Sequence, residues 1–400
     1  MMKRRTFSAL LAGTFVAPGL SWGQAAKGKT ALYSGVGPEF TRYEVDIDAA
    51  TLAKQESVKL NGGVQYAWPH TSRRYLYVSS STGGPGETGD QHHVAAFRME
   101  PSSGALKPHG EPIKLRWRPV HNSVDMAGEY LLIAYNDPSG VSVHRINPDG
   151  TIGEEVKQPE KLDLGIYGHQ IRATPSNQSI ILVTRSNNAT KSKPEDPGSI
   201  KVYGFKSGVL TNKAAIQPGN GLGFGPRHLD FHPTQPWVYV SIERQNKLYV
   251  YKLEPDGGLS LTPLFVKDTV LDPNRHVSSA GPIHVHPNGR FVYLANRGGW
   301  SASPDPSAEM HDGMPVFDAT NSNIAVFAID PSTGEPKLVQ TADSHGAHPR
   351  TFSFDASARM LVAGSLVPIA LREGGRISVL PAGLSVFRMR EEGTLDYVRR

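Results

Sequence analysis

One unit recurs along the 400-residue chain, usually at about 45 to 60 residues, and this periodicity restricts the fold more than any other feature of the sequence. Each copy reads as a turn containing Gly, Pro or His, a short strand, a second turn, an apolar β-rich strand, a loop, another β-rich strand and an acidic Pro/Gly turn. Copies open at Gln65 (QYAWPHTSRRYLYVSS), Arg118 (RPVHNSVDMAGEYLLIAYN), Gly168 (GHQIRATPSNQSIILVTRS), Gly225 (GPRHLDFHPTQPWVYVSIE), Gly281 (GPIHVHPNGRFVYLANR) and His348 (HPRTFSFDASARMLVAGSL). A partial seventh lies further upstream, ALYSGVG followed by FTRYEVDID. The strands are rich in Val, Ile, Tyr and Phe, and the turns carry Pro, Asn, Asp or Gly where hairpins need them, as in HPNG at 286 to 289. One such sheet cannot bury both faces alone, whereas sheets stacked radially can. The expectation is an all-β chain folded as a seven-bladed β-propeller of four-stranded antiparallel blades. The N-terminal unit lacks an innermost strand, and the C-terminal Asp396–Arg400 falls within the last unit. Either the ring closes imperfectly or the chain stops short of its closing strand.

Residues 1–25 stand apart from this pattern. Lys3, Arg4 and Arg5 precede an apolar run from Phe7 to Leu20, and Gly23-Gln24-Ala25 offers small residues for cleavage. This is the layout of an export signal, too short to span a bilayer comfortably. Arg4-Arg5-Thr6-Phe7 resembles the twin-arginine type, and a Sec signal with a basic start is the alternative. The expected organisation is therefore a signal over 1–25 and a single propeller domain over 26–400, located in the periplasm or secreted.

The signal also explains most of the charge. Lysine and arginine number 42 against 37 acidic residues, a formal excess of +5, and three of those cations are in the signal. The domain's charge thus gives no reason to expect a nucleic-acid partner or, after signal removal, membrane insertion. The absence of cysteine excludes disulfides, thiolate metal sites and a cysteine nucleophile. No cofactor and no metal are expected, since adjacent His92 and His93 would face opposite sides of a strand. A monomer is the expected state.

In a four-stranded antiparallel blade the innermost strand starts, and the second strand ends, on the same face of the disc. Strand starts carry His121, His169, Arg227, His228, His284, His348 and Arg350, and strand ends carry Glu243 and Arg297, so these side chains should ring the mouth of a central channel. His232 and His286 fall in hairpin turns on the opposite face, where imidazoles satisfy backbone groups. The loops at 83–91, 187–198 and 298–321 belong to the face with the cluster, and their length suggests a cover formed by Trp300, His311 or Phe317.

GPRHLDFHP at 225–233 with Glu243 sixteen residues after Arg227, HPNGRFVYLANR at 286–297 and IDPSTG at 329–334 resemble the lactonase-type seven-bladed propellers, which include bacterial 6-phosphogluconolactonases and fungal carboxymuconate cyclases. The resemblance spans nearly all of residues 27 to 395. It implies that His169, Arg227, Glu243 and Arg297 are catalytic; His121, His228, His284, His348 and Arg350, placed at the mouth by their strand starts, are the candidates to contact a small-molecule lactone or carboxylate substrate. The chain departs from the pattern in its export signal, its long loop 298–321 and its uncertain closure, and export argues against a cytosolic phosphosugar. The leading expectation is an exported, metal-independent hydrolase of a sugar lactone or carboxylated lactone, 6-phosphogluconolactonase-like. A muconate-type cycloisomerase and a non-catalytic, ligand- or partner-binding propeller are the alternatives. Either Glu243 or His169 would serve as base, with the other as acid.

Overall fold

The computed structural model describes residues 9–12, 30–84, 87–270, 278–298, 308–317 and 322–400. Among the described residues seven antiparallel sheets follow one another along the chain, each running from inner to outer strand in chain order, the last two interrupted by strands of a further sheet. The inner strands of blades 2 to 7 are Gly63–Pro69, Pro119–Val124, Gly168–Ala173, Pro226–Phe231, Ala280–Val285 and Ala347–Phe354. Every one begins within two residues of the opening read from the repeat. The second strands, such as Tyr75–Ser81, Tyr130–Asn136 and Trp237–Ile242, are buried along their whole length because each is covered by a neighbouring blade on both faces.

The apolar core is accordingly a ring of layers between blades. Val183 and Val202 of blade 4 pack on Leu229 and Val240 of blade 5. Tyr239 and Val250 of blade 5 pack on Ile283 and Phe327 of blade 6, and Leu32 of blade 1 meets Met360 and Val362 of blade 7, which completes the circle. A repeated hydrogen bond pins the layers together. Tyr33, Tyr77, Tyr239 and Tyr293, each in a second strand, donate to the carbonyls of Gly104, Gly150, Gly334 and Gly393 in the next blade's outer turn, at 2.5, 2.9, 2.9 and 2.6 Å. The glycine of IDPSTG shows why that turn is restricted. Gly334 has φ 79°, and a Cβ there would lie 2.4 Å from the Trp237 ring.

Closure and the loops depart from the sequence reading. The C-terminal Leu395–Arg399 is the outermost strand of blade 7, and the inner slot of blade 1 is taken by Ala9–Ala12, paired antiparallel with Tyr33–Val36. These four residues lie within the segment expected to be removed on export, so a processed chain would present the inner edge of Thr30–Val36 to the channel. An eighth, accessory sheet joins Met310–His311 and Met314–Phe317 to Ile369–Glu373 and Arg376–Leu380, through a parallel pairing of Val316 with Ala370. Phe317 packs there against Ala347, Ile369 and Leu371, beside the strand that carries His348. His311 is also in this sheet, and Trp300 lies outside the described residues.

Candidate active site

Two recurring backbone features aim side chains at the mouth. The first is a β-bulge near the start of each inner strand in blades 2 to 7, where the pairing register skips. In blade 4 the skipped residue is His169, in blade 5 Arg227 and in blade 7 Arg350. An extra residue at a bulge is released from the ladder and its side chain is re-aimed, which is why bulges recur beside active sites. The second feature is one backbone bond past the end of the second strand in blades 4, 5 and 6. Arg185 N donates to Tyr167 O at 2.9 Å, Glu243 N to Gly225 O at 2.7 Å and Arg297 N to Ser279 O at 2.9 Å. Arg185, Glu243 and Arg297 are thus equivalent positions in three successive blades.

Bulge residues and strand-end residues meet at Glu243. Its Oε1 accepts from Arg185 Nη1 at 3.0 Å, and its Oε2 lies 2.9 Å from Arg297 Nη2 and 3.2 Å from Arg227 Nε. Arg297 Nη1 reaches His348 Nε2 at 3.3 Å. Burial would push the Glu243 carboxyl up, but Arg297, Arg185 and Arg227 override it and hold the group well below the usual carboxylate range. Arg350 is lowered to about 10, by burial first and then by Arg297. His169 is depressed by burial and then by Arg227, Arg350, Arg185 and Arg297, so its imidazole is neutral at pH 7. Among the described residues, His169 Nδ1, Arg227 Nη1 and Arg297 Nε are buried without a hydrogen-bond partner. Buried polar atoms in that condition cost about 1–3 kcal/mol each, so the site is built to receive polar atoms that it does not itself supply.

The remaining predicted residues divide between two levels. His228 stands 5.2 Å, ring to ring, from His169 and 6.1 Å from His121, which stacks at 4.0 Å on Tyr66, and these form an imidazole ladder down the channel wall. His284 belongs elsewhere: its Nδ1 faces Asp230 Oδ2 at 3.6 Å and its ring packs on Phe352. His232 and His286 sit in hairpin turns, where the Nδ1 of His232 accepts from the amides of Thr234 and Gln235 and that of His286 from Asn288. His92 bonds Ser81 Oγ at 2.8 Å, and among the described residues no three His, Asp or Glu side chains converge at metal-ligand spacing. Two mouth residues were not anticipated from sequence. Arg185 holds Glu243, and Tyr167 carries the Arg185 guanidinium 4.3 Å above its ring. The position of Arg185, one residue beyond its strand like Glu243 and Arg297, was the available signal.

The sequence profile described as lactonase, 7-bladed beta-propeller, matches residues 30–366. The chain belongs to this family. It is 28% identical over 359 residues to a 6-phosphogluconolactonase of Bacillus subtilis, covering 86% of this chain and 90% of the relative. A 6-phosphogluconolactonase of Formosa agariphila is 26% identical over 309 residues, covering 73% and 78%. Among solved structures, the periplasmic gluconolactonase PpgL of Pseudomonas aeruginosa superposes with a TM-score of 0.66 over 98% of this chain and 96% of that one, at 19% identity, a likeness of fold.

Proposed function

We propose that the chain is an exported hydrolase of an anionic sugar lactone, with the channel mouth as its active site. One observation carries this reading: a single ionised carboxylate, Glu243, shared by three guanidiniums, beside a neutral His169 and unpartnered arginine donors. The relatives' lactonase names and the family match support lactone as the substrate class. The surplus of guanidinium over carboxylate, extended by Arg350, favours a lactone that brings its own negative charge, and arginine's planar fork suits carboxylate or phosphate. The signal-like segment before residue 26 supports export.

The chemistry follows from the protonation states. A carboxylate held as Glu243 is has no proton to give at pH 7, so its part is to fix Arg185, Arg227 and Arg297 in place. His169 takes a proton from water as the water oxygen attacks the lactone carbonyl carbon. The tetrahedral oxyanion accepts hydrogen bonds from the arginine donors, and as the ring C–O bond breaks the leaving alkoxide recovers the proton from the imidazolium. The product hydroxy acid ionises and releases one proton per turnover.

Proton release from a panel of neutral and anionic aldonolactones tests the reading, with product analysed after reaction in heavy-oxygen water. Expected are turnover that favours anionic lactones, one labelled oxygen in the product, and a loss of about 10²–10⁴-fold in kcat for His169→Asn. An unchanged rate in that variant removes His169 from the mechanism. Unlabelled product formed from a muconate transfers the site to the cycloisomerase class, and ligand binding without turnover to the non-catalytic one.

A further inference from the structure

Tyr167 enters blade 4 immediately before the inner strand Gly168–Ala173, with φ at 61°. Positive φ is a steric outlier for a bulky side chain and persists only where the surrounding structure over-determines it, a condition that recurs at active sites. Two backbone bonds do so here: Arg185 N donates to Tyr167 O and Ser186 N to Ile166 O, each at 2.9 Å. Gly165, two residues earlier, takes a similar conformation with φ 57° and without a side chain to strain. The reason for a tyrosine at 167 therefore lies in what its side chain does.

That side chain is engaged at both ends. Its ring lies 4.3 Å beneath the guanidinium of Arg185, which in turn holds Glu243. Its hydroxyl is within electrostatic reach of three guanidiniums, Arg118 of blade 3, Arg185 of blade 4 and Arg350 of blade 7. Blades 4 and 7 stand on opposite sides of the ring, so the reach from Tyr167 to Arg350 crosses the mouth. Arg350 also feels Glu243 and Arg297, which sets hydroxyl, carboxylate and arginines around one opening. Arg118 is buried and fixed there, donating from Nε to Gln65 Oε1 at 3.0 Å.

A guanidinium carries donors and no acceptor. None of the three can take the phenolic hydrogen, and among the described residues no other group accepts it. Tyr167 is only half-buried, so this hydrogen is left for an oxygen arriving in the mouth. We propose that Tyr167 is a further catalytic residue, its hydroxyl donating a hydrogen bond to the lactone carbonyl oxygen and to the oxyanion that forms from it. This rests on the hydrolase reading for the reaction and on the surroundings of the hydroxyl for the contact. A neutral donor binds more strongly as charge builds on its acceptor, so the contact favours the tetrahedral state over the bound lactone, and no proton leaves Tyr167.

Tyr167→Phe is the direct test, because phenylalanine keeps the ring beneath Arg185 and removes the hydroxyl alone. On a lactone that the wild type hydrolyses, kcat should fall about 10²–10³-fold, the range for one oxyanion donor, with KM within a few-fold and the melting temperature nearly unchanged. Incorporating 3,5-difluorotyrosine at 167 keeps the hydroxyl and makes it more acidic, and should move the alkaline limb of kcat to lower pH, which a merely structural ring would not do. Binding of a cyclic phosphonate, whose tetrahedral P–O⁻ stands where the oxyanion forms, should weaken about 10- to 100-fold in Tyr167→Phe. Phosphonate binding weakened in this way, with no lactone hydrolysed by the wild type, upholds the contact and overturns the hydrolase reading. Lactone hydrolysis by Tyr167→Phe at the wild-type kcat, or a loss confined to KM, overturns the proposal and leaves the hydrolase reading in place.

Discussion

Two carboxylates face the channel, one at the mouth and one below it, and they are held in opposite ways. Asp230 is satisfied on every side: Oδ1 accepts from Phe231 N at 3.0 Å and from Arg172 at 3.5 Å, while Oδ2 accepts from Val285 N at 2.9 Å and faces His284. Arg172 is itself sandwiched, 4.7 Å from the Trp68 ring and 5.5 Å from Phe231. Glu243 faces three guanidiniums, and buried donors around it are left unmatched. Both are carboxylates beside arginine, and both are largely buried. A closed network braces adjacent blades, whereas one with surplus charge and open donors is arranged for a ligand.

Neutralising each carboxylate breaks the comparison most sharply. Glu243→Gln leaves Arg185, Arg227 and Arg297 facing one another, with an expected loss of about 3–5 kcal/mol in stability and turnover reduced to background. Added phosphate should recover part of the melting temperature by occupying the arginines, as any ligand of the native state does. Asp230→Asn should cost about 3 kcal/mol for the same electrostatic reason, with no recovery by phosphate and kcat/KM within a few-fold of wild type. Denaturant titration with and without phosphate, alongside initial rates, separates the two. A phosphate response in Asp230→Asn equal to that in Glu243→Gln would erase the distinction.

A smaller effect tests whether the mouth arginines act by charge or by shape. Arg227→Lys keeps the cation but loses the fork, and with it the donor at Nη1 that has no protein partner. The loss in kcat should be about 10²–10³-fold, the range for removal of one oxyanion donor, with stability nearly unchanged. Steady-state kinetics on an anionic lactone reads it directly, and a lysine variant with wild-type kcat would reduce Arg227 to a structural cation.

How much of this was visible in the sequence depends on the range of the interaction. The blades were legible because each is a local hairpin series, with its apolar strands and turn residues in one continuous stretch. Glu243, Arg227 and Arg297 were legible because a repeat makes strand starts and strand ends countable. Arg185 shares their position and escaped notice only because Thr184-Arg185 ends a strand without the neighbouring motif that marks Glu243. The bulges at His169, Arg227 and Arg350 were not legible, since a register skip is a property of the pair of strands and not of either alone. The accessory sheet was hidden for the same reason, because its parallel pairing joins Val316 to Ala370 across a whole blade. His284 was placed with the mouth by its position near a strand start, yet it turns to Asp230, whose side chain reaches it from the neighbouring blade.

The mildest expected effect is on pH dependence, and it locates the proton shuttle. If His169 works as the neutral base, kcat/KM should fall on the acid side as the imidazole protonates. Its pKa is held below the ordinary value of 6.5 by burial and then by the surrounding arginines, so activity should persist below pH 6.5 before it declines. Arg350→Gln removes one of those cations without touching Glu243's own partners, and should move the acid limb toward higher pH while leaving the plateau above pH 7 in place. The sign for stability is the same. Between the two pKa values the unfolded chain binds the proton and the native one does not, so the contribution of His169 is complete above 6.5 and declines as pH falls through that interval. Glu243, also depressed, begins to lose its contribution only below the unfolded carboxylate value, so the decline in stability on acidification begins with His169 and Glu243 adds to it at lower pH. An acid limb unmoved by Arg350→Gln would mean that the group titrating in kcat/KM is not surrounded by the mouth arginines, and would take the proton transfer away from His169.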